Sequence, residues 1–191
     1  MNQNHNGKGK MATRTLVYCA VLAALSVVLA RLSSLMPDES TRFSLEAIPI
    51  FIAGMLFGPL AGGMVGFVAD FVGCLFSPYG YNPLFCLPPI LYGVFAGIFR
   101  HWLGKKTTIP KLGISMLPPV LLGSILYQSV ALAYVYFNTT FWEGLVLKLS
   151  TRSIQFAITW VLDVLIIYAI FKMKLFNRLG VWPPKKKEKK V

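Results

Sequence analysis

Residues Glu46–Phe76 read EAIPIFIAGMLFGPLAGGMVGFVADFVGCLF, and how this stretch divides decides the fold. It is apolar from end to end and interrupted once, at Gly58-Pro59. Undivided, it is one kinked helix. Divided, it is two short helices, Glu46–Phe57 and Leu60–Phe76, joined by a tight turn. Proline has no N–H and breaks a helix interior but suits a first helical turn, and the glycine before it can take conformations closed to other residues. The stretch alone permits both readings.

Working outward, further apolar segments run over Thr13–Met36, Leu84–Leu103, Ile114–Phe137 and Leu149–Phe171. Most approach the ~20 residues a helix needs to cross a bilayer core of ~30 Å. Of 191 residues, 55% are hydrophobic and only 14% charged, more apolar side chain than one soluble core of this size can bury. The implied solvent is lipid. Lys8, Lys10 and Arg14 before an apolar run also fit a cleaved leader, but the run is too long and lacks a small-x-small site before a polar start.

Charge parity divides the central stretch. Helices alternate direction, and Lys and Arg concentrate on the cytoplasmic side. Six crossings with the N-terminus inside put Lys8, Lys10, Arg14, Arg100, Lys105, Lys106, Lys111, Lys172, Lys174, Arg178 and the Lys185–Lys190 run inside. Only Arg31, Arg42, Lys148 and Arg152 fall on or near the outside. Five crossings would put the two basic tails on opposite sides. The expectation is an all-α membrane protein with six transmembrane helices and both N- and C-termini cytoplasmic. Residues 1–12 are expected to be a flexible cytoplasmic tail, 13–176 a six-helix transmembrane domain, and 177–191 a basic cytoplasmic tail.

The net charge of +12 would suggest nucleic acid in a soluble chain, but here the cations sit at segment ends and in the tails, where they orient helices. No nucleic-acid partner is expected. The Lys185–Lys190 run reads most simply as an anchor against anionic lipid. Outer connections Pro37–Leu45, Ser77–Pro83 and Asn138–Gly144 hold Phe43, Tyr79, Tyr81, Asn82, Phe141 and Trp142, suited either to a ligand or to the aromatic belt of the membrane interface.

An ionisable group at the bilayer centre costs at least ~2.5 kcal/mol on the insertion scale, so it faces the bundle interior and has a purpose. Arg31, Asp70, Arg152 and Asp163 are the cases here. Arg152, Gln155 and Thr159 share one face of the sixth helix at i, i+3 and i+7, and Tyr127 and Gln128 add polar groups to the fifth. They suit a polar ligand or an interhelical network that holds the bundle, while Asp70 and Asp163, deeper, suit a structural or gating role. Ala20 and Ala24 make a small-xxx-small step on the first helix, continued by Gly54, Gly58, Gly62, Gly63 and Gly66, as close helix packing requires.

Catalytic sets are missing. The histidines are His5 in the tail and His101 in a basic loop, which leaves no imidazole for a triad or metal cluster within the membrane. Cys19, Cys74 and Cys86 have no metal-ligand spacing, and no phosphate-binding loop with a Gly-Lys-Ser/Thr ending occurs. Neither an enzyme, a metal site nor a cofactor is expected; energy for any active transport would come from a partner or an ion gradient.

The block Arg42-Phe43-Ser44-Leu45-Glu46-Ala47-Ile48-Pro49-Ile50, then Gly54-Met55-Leu56-Phe57-Gly58-Pro59, Gly62-Gly63, Ala69-Asp70 and Gly80-Tyr81-Asn82-Pro83, resembles the substrate-binding S components of energy-coupling-factor (ECF) vitamin importers. The likeness spans nearly the whole chain after the N-terminal tail, and the order and spacing resemble the folate branch, with pantothenate types close behind. The resemblance implies six helices in a bacterial plasma membrane, an outward cavity closed by outer loops, and docking on a transmembrane coupling protein bound to two ATPases. It also implies that Ala20 and Ala24 meet the coupling protein. A pterin would then stack on Phe43, Tyr81 or Phe85 and be read by Arg31, Arg152 and Gln155, with Asn82, Tyr127 and Gln128 as further ligand-binding candidates. The glutamate carboxylates of folate would lie near the mouth.

The reading is a subunit that captures folate outside for ATP-driven import. Its rivals are an S component for another vitamin such as pantothenate, a membrane scaffold whose polar groups pair only with each other, and a lone ion-coupled transporter using Asp70 and Asp163.

Overall fold

A computed structural model of the chain describes residues 13–34, 45–76, 83–104, 107–136, 141–173 and 176. Every regular element among them is a helix: α1 (Thr13–Ser34), α2 (Ala47–Phe57), α3 (Pro59–Leu75), a 3-10 turn (Pro83–Phe85), α4 (Leu87–Ile98), α5 (Arg100–Leu103), α6 (Ile109–Pro118), a π-helical segment (Pro119–Tyr127), α7 (Gln128–Tyr136) and α8 (Phe141–Lys172). Both tails, 1–12 and 177–191, and the candidates Phe43, Tyr81 and Asn82 lie outside the described residues.

The central stretch is two helices. Gly58 has φ 102°, a left-handed conformation that glycine takes freely. Its N–H donates to the Gly54 carbonyl at 2.9 Å, and its own carbonyl accepts from Gly62 at 3.0 Å, so one residue ends α2 and starts α3, with Pro59 in the first turn of α3. Gly54 and Gly62, each four residues from Gly58, face each other, which shows that the chain doubles back.

Ten consecutive residues of α2, Ala47–Leu56, are buried. A helix apolar on every side belongs at the centre of a bundle, and α2 packs on α1, α3, α4 and α8. Glycines bring these helices together: Gly54 and Gly62 meet Gly93 of α4, Gly66 meets Pro89, and Gly97 meets Pro59.

Outside, the bundle is apolar. Leu16, Val21, Leu25, Val28 and Leu32 of α1, Leu60, Met64, Phe67 and Leu75 of α3, and Ile154, Ile158, Val161 and Leu165 of α8 are exposed. Inside, large apolar side chains such as Ile50, Phe51 and Met55 sit with Ser26, Ser129 and Asp163. So apolar an exterior is stable in lipid and costly in water. Thr13–Leu32, Ile109–Tyr134 and Arg152–Lys172 are long and apolar enough to cross a membrane, with Ala47–Phe57, Pro59–Leu75 and Pro83–Ile98 as shorter apolar helices.

Two helices start earlier than expected. The fifth apolar segment begins at Ile109 rather than Ile114, with Thr108 extended before it and Pro110 in its first turn, where the missing N–H costs nothing. The sixth begins at Phe141, within the expected connection Asn138–Gly144. The π-helical segment has a local cause. Pro118 and Pro119 supply no N–H, so the usual four-residue ladder fails there and a wider register follows.

Candidate functional site

The polar residues of α8 make one inward stripe. Arg152, Thr159 and Asp163 are seven and four residues apart, which places them within about 40° of arc on an α-helix. Thr159 is 4% and Asp163 2% exposed, so the stripe faces the interior. From Arg152 to Asp163 the axial distance is about 16 Å at 1.5 Å per residue.

Arg152 is half-buried, and its guanidinium lies over the Phe156 ring, 5.6 Å from the centroid. Its Nη1 is buried with no hydrogen-bond partner among the described residues. Thr159 Oγ1 donates to the Gln155 carbonyl at 3.0 Å, so its hydroxyl is already used within α8.

Across the bundle, Glu46 stands just before α2, and Ser26 Oγ donates to its carbonyl at 2.8 Å. Ser26 lies eight residues before the end of α1, so α2 begins about 12 Å below that end. Glu46 and Asp163 are near enough for their charges to interact, and Tyr92 of α4 lies within reach of both. The Tyr92 hydroxyl and Ser124 Oγ are hydrogen-bonded at 3.2 Å in the interior.

Two further buried atoms here are unmatched. Asp163 Oδ1 and Ser129 Oγ have no hydrogen-bond partner among the described residues. Leaving such a group unpaired costs roughly 1–3 kcal/mol, and native interiors rarely tolerate it without a use. The interior therefore offers an unmet acceptor on α8 and an unmet hydroxyl on α7.

Arg31 has a different position from the α8 stripe. Its Nη2 donates to the Gly73 carbonyl at 2.5 Å and its Nη1 to the Phe76 carbonyl at 3.2 Å. A cation on the last carbonyls of a helix complements its dipole, so Arg31 ties α1 to the end of α3. Asp70 is bonded to the Cys86 thiol, joining α3 to the residue before α4. Phe85 lies half-buried in the 3-10 turn, and Tyr127 and Gln128 half-buried where the π-helical segment meets α7. The helix α7 packs on both that turn and α8.

Sequence reading singled out Arg152, Gln155, Phe85, Tyr127 and Gln128 but not Glu46, Tyr92 or Ser124. Nothing local separates Tyr92 from an interface tyrosine, or Ser124 from a packing residue. Ala20 and Ala24 are both exposed on the outer face of α1.

A groove of about 320 Å³ opens elsewhere, between α6 and α8, lined by Ile109, Gly113, Leu117, Trp160 and Val164 among others. The Trp160 Nε1–H is already given to the Gly113 carbonyl at 3.2 Å, which leaves the groove apolar. It suits hydrocarbon rather than a polar solute.

Residues 10–172 match the family model described as "ECF-type riboflavin transporter, S component". The chain is 27% identical over 161 residues to the folate transporter FolT of Clostridium novyi (strain NT), covering 83% of this chain and 88% of that protein. It is 30% identical over 100 residues to the uncharacterized protein MG098 homolog of Mycoplasma pneumoniae, covering 50% of this chain and 21% of that protein. Among solved structures, FolT bound with folic acid is similar with a TM-score of 0.64 and 28% identity, over 81% of this chain and 92% of that one. The resemblance read from the sequence is thereby borne out: the chain belongs to the S-component family of ECF-type transporters, with its likeness to the folate branch.

Proposed function

We propose that this chain captures folate on the outer side of a bacterial plasma membrane and delivers it to an ATP-driven module made of a transmembrane coupling protein and two ATPases. The observation that carries this reading is the likeness, over 92% of its length, to a FolT structure containing folic acid. In this reading the chain crosses the membrane six times, with both termini in the cytoplasm. The ligand lies among outer loops and helix ends, contacted by Phe43, Tyr81, Asn82, Phe85, Tyr127, Gln128, Arg152 and Gln155, with Arg31 at its edge. The late start of α2, about 12 Å short of the outer end of α1, is consistent with a cavity there, since irregular backbone at membrane depth occurs where it is buried in protein or lines an aqueous space. Charge fits as well. Arg152 lies toward the outer end of the stripe and so suits folate's carboxylates rather than the pterin ring that the sequence reading gave it, while the acids lie deeper.

The family model's description favours a second reading, in which the vitamin is riboflavin. Calorimetry on purified protein with folate, riboflavin, pantothenate and thiamine separates the two. Heat with folate alone is the expected result; binding of riboflavin and none of folate overturns it.

A further inference from the structure

We propose that Asp163 selects the ligand's head: its carboxylate accepts two hydrogen bonds from a heterocycle edge with adjacent donors and rejects an edge whose N–H is flanked by two carbonyls. A pterin, with its ring N–H beside an exocyclic amino group, is of the first kind. A flavin, with a ring N–H between two carbonyl oxygens, is of the second. The inference rests on the folate reading and names the residue that would enforce it.

Three observations lead here. Asp163 is 2% exposed and its Oδ1 has no hydrogen-bond partner among the described residues, so the fold carries an acceptor that it does not itself use. Glu46 is a second acid, and the Tyr92 hydroxyl is hydrogen-bonded to Ser124. In its ionised form the Asp163 carboxyl only accepts hydrogen bonds, so it matches a donor-rich edge and repels carbonyl oxygens. Ser129 Oγ is also buried without a partner on α7, which packs on α8, so the interior holds more than one polar group left open.

The direction of the stripe adds the third. Arg152 and Asp163 share one face of α8 about 16 Å apart, a guanidinium toward the outer end and a carboxyl group deep inside. Folate has the same polarity, with an anionic glutamate at one end and a donor edge at the other. A ligand laid along this face would have its head at Asp163 and its tail toward Arg152. The carboxylate then acts as a filter, because a buried group left facing the wrong edge is penalised more heavily than a matched one is favoured.

The test uses the purified full-length chain and its Asp163→Asn variant, titrated with folate, a folate analogue lacking the 2-amino group, p-aminobenzoylglutamate and riboflavin. Asp163→Asn is expected to weaken folate on the order of ten- to a hundredfold, with the tail fragment changed by less than about twofold. The preference of the wild type for folate over the 2-desamino analogue is expected to shrink in the variant, and discrimination against riboflavin to relax. Folate affinity within about twofold of wild type, an unchanged 2-desamino penalty, or an equal loss for the tail fragment overturns the assignment to Asp163 while folate binding by the wild type stands. Failure of the wild type to bind folate overturns the functional reading, and this one with it. Where the amide variant does not run as a single species on size exclusion, Asp163→Ser is read by the same comparisons.

Discussion

Gly93 of α4 and Gly62 of α3 meet backbone to backbone: a Cβ on either would fall on the carbonyl group of the other. Gly54 of α2 meets the same Gly93 carbonyl, so three helices converge where none has a side chain. Close approach of this kind lets dispersion and backbone contacts hold helices together where no hydrophobic drive between them exists.

Gly93→Ala therefore forces two helices apart, because the colliding atoms are backbone rather than a side chain that can turn away. The expected loss is about 3 kcal/mol, measured as a lower unfolding midpoint in detergent. Gly73→Ala is the control. Its Cβ would meet nothing within 4 Å, and the variant is expected within about 0.5 kcal/mol of wild type or slightly more stable.

Arg31→Ala removes both donors from the last carbonyls of α3. The expected cost is about 1–3 kcal/mol, localised at the C-terminal end of α3. Hydrogen exchange checks the location: amides of the last turn of α3 should exchange faster, while those of the buried α2 hold. Uniform acceleration through α2 would show that Arg31 supports the whole bundle.

Ala20→Trp and Ala24→Trp place bulk on an exposed face, so neither collides within the chain. Folate binding by the purified variants is expected to stay within about twofold of wild type, while cellular uptake with the complete import module is lost. Unchanged uptake would remove this face from the docking surface.

Arg152→Gln takes away a half-buried charge stacked on Phe156. Folate is expected to bind more weakly on the order of ten- to a hundredfold, and a neutral pterin fragment without the glutamate to bind as before. Arg152→Lys should recover only part of the loss, because an ammonium lacks the planar fork that stacks and bonds at once.

Much of the architecture was legible along the chain. The apolar segments lie where helices form, and Gly58-Pro59 marked a break whose residues suit a turn of this kind. The helix starts at Ile109 and Phe141 lie outside the apolar runs that marked the segments, and at the first of them a lysine stem lies along apolar surface: Lys111 extends over the Trp102 ring, 5.5 Å from its centroid. Among the candidate site residues, Arg152 was legible because a guanidinium in an apolar helix has to have a reason. Arg31 carried the same signal, yet its hydrogen bonds go to α3 carbonyls more than forty residues away.

The sequence by itself determined an all-helical, lipid-compatible chain, the residues that cannot sit idle in apolar surroundings, and the family to which it belongs. These follow from local rules: apolar run length, the i, i+3, i+7 spacing, the missing N–H of proline. Only the tertiary structure decided that α2 is the buried centre, that Gly54, Gly62 and Gly93 meet, and that Glu46, Tyr92 and Asp163 share one interior. A polar side chain in an apolar helix announces that it needs a partner, but its identity depends on how distant segments pack. Here that packing brings Glu46 near Asp163, 117 residues along the chain, and leaves the Asp163 carboxylate with an oxygen unmatched.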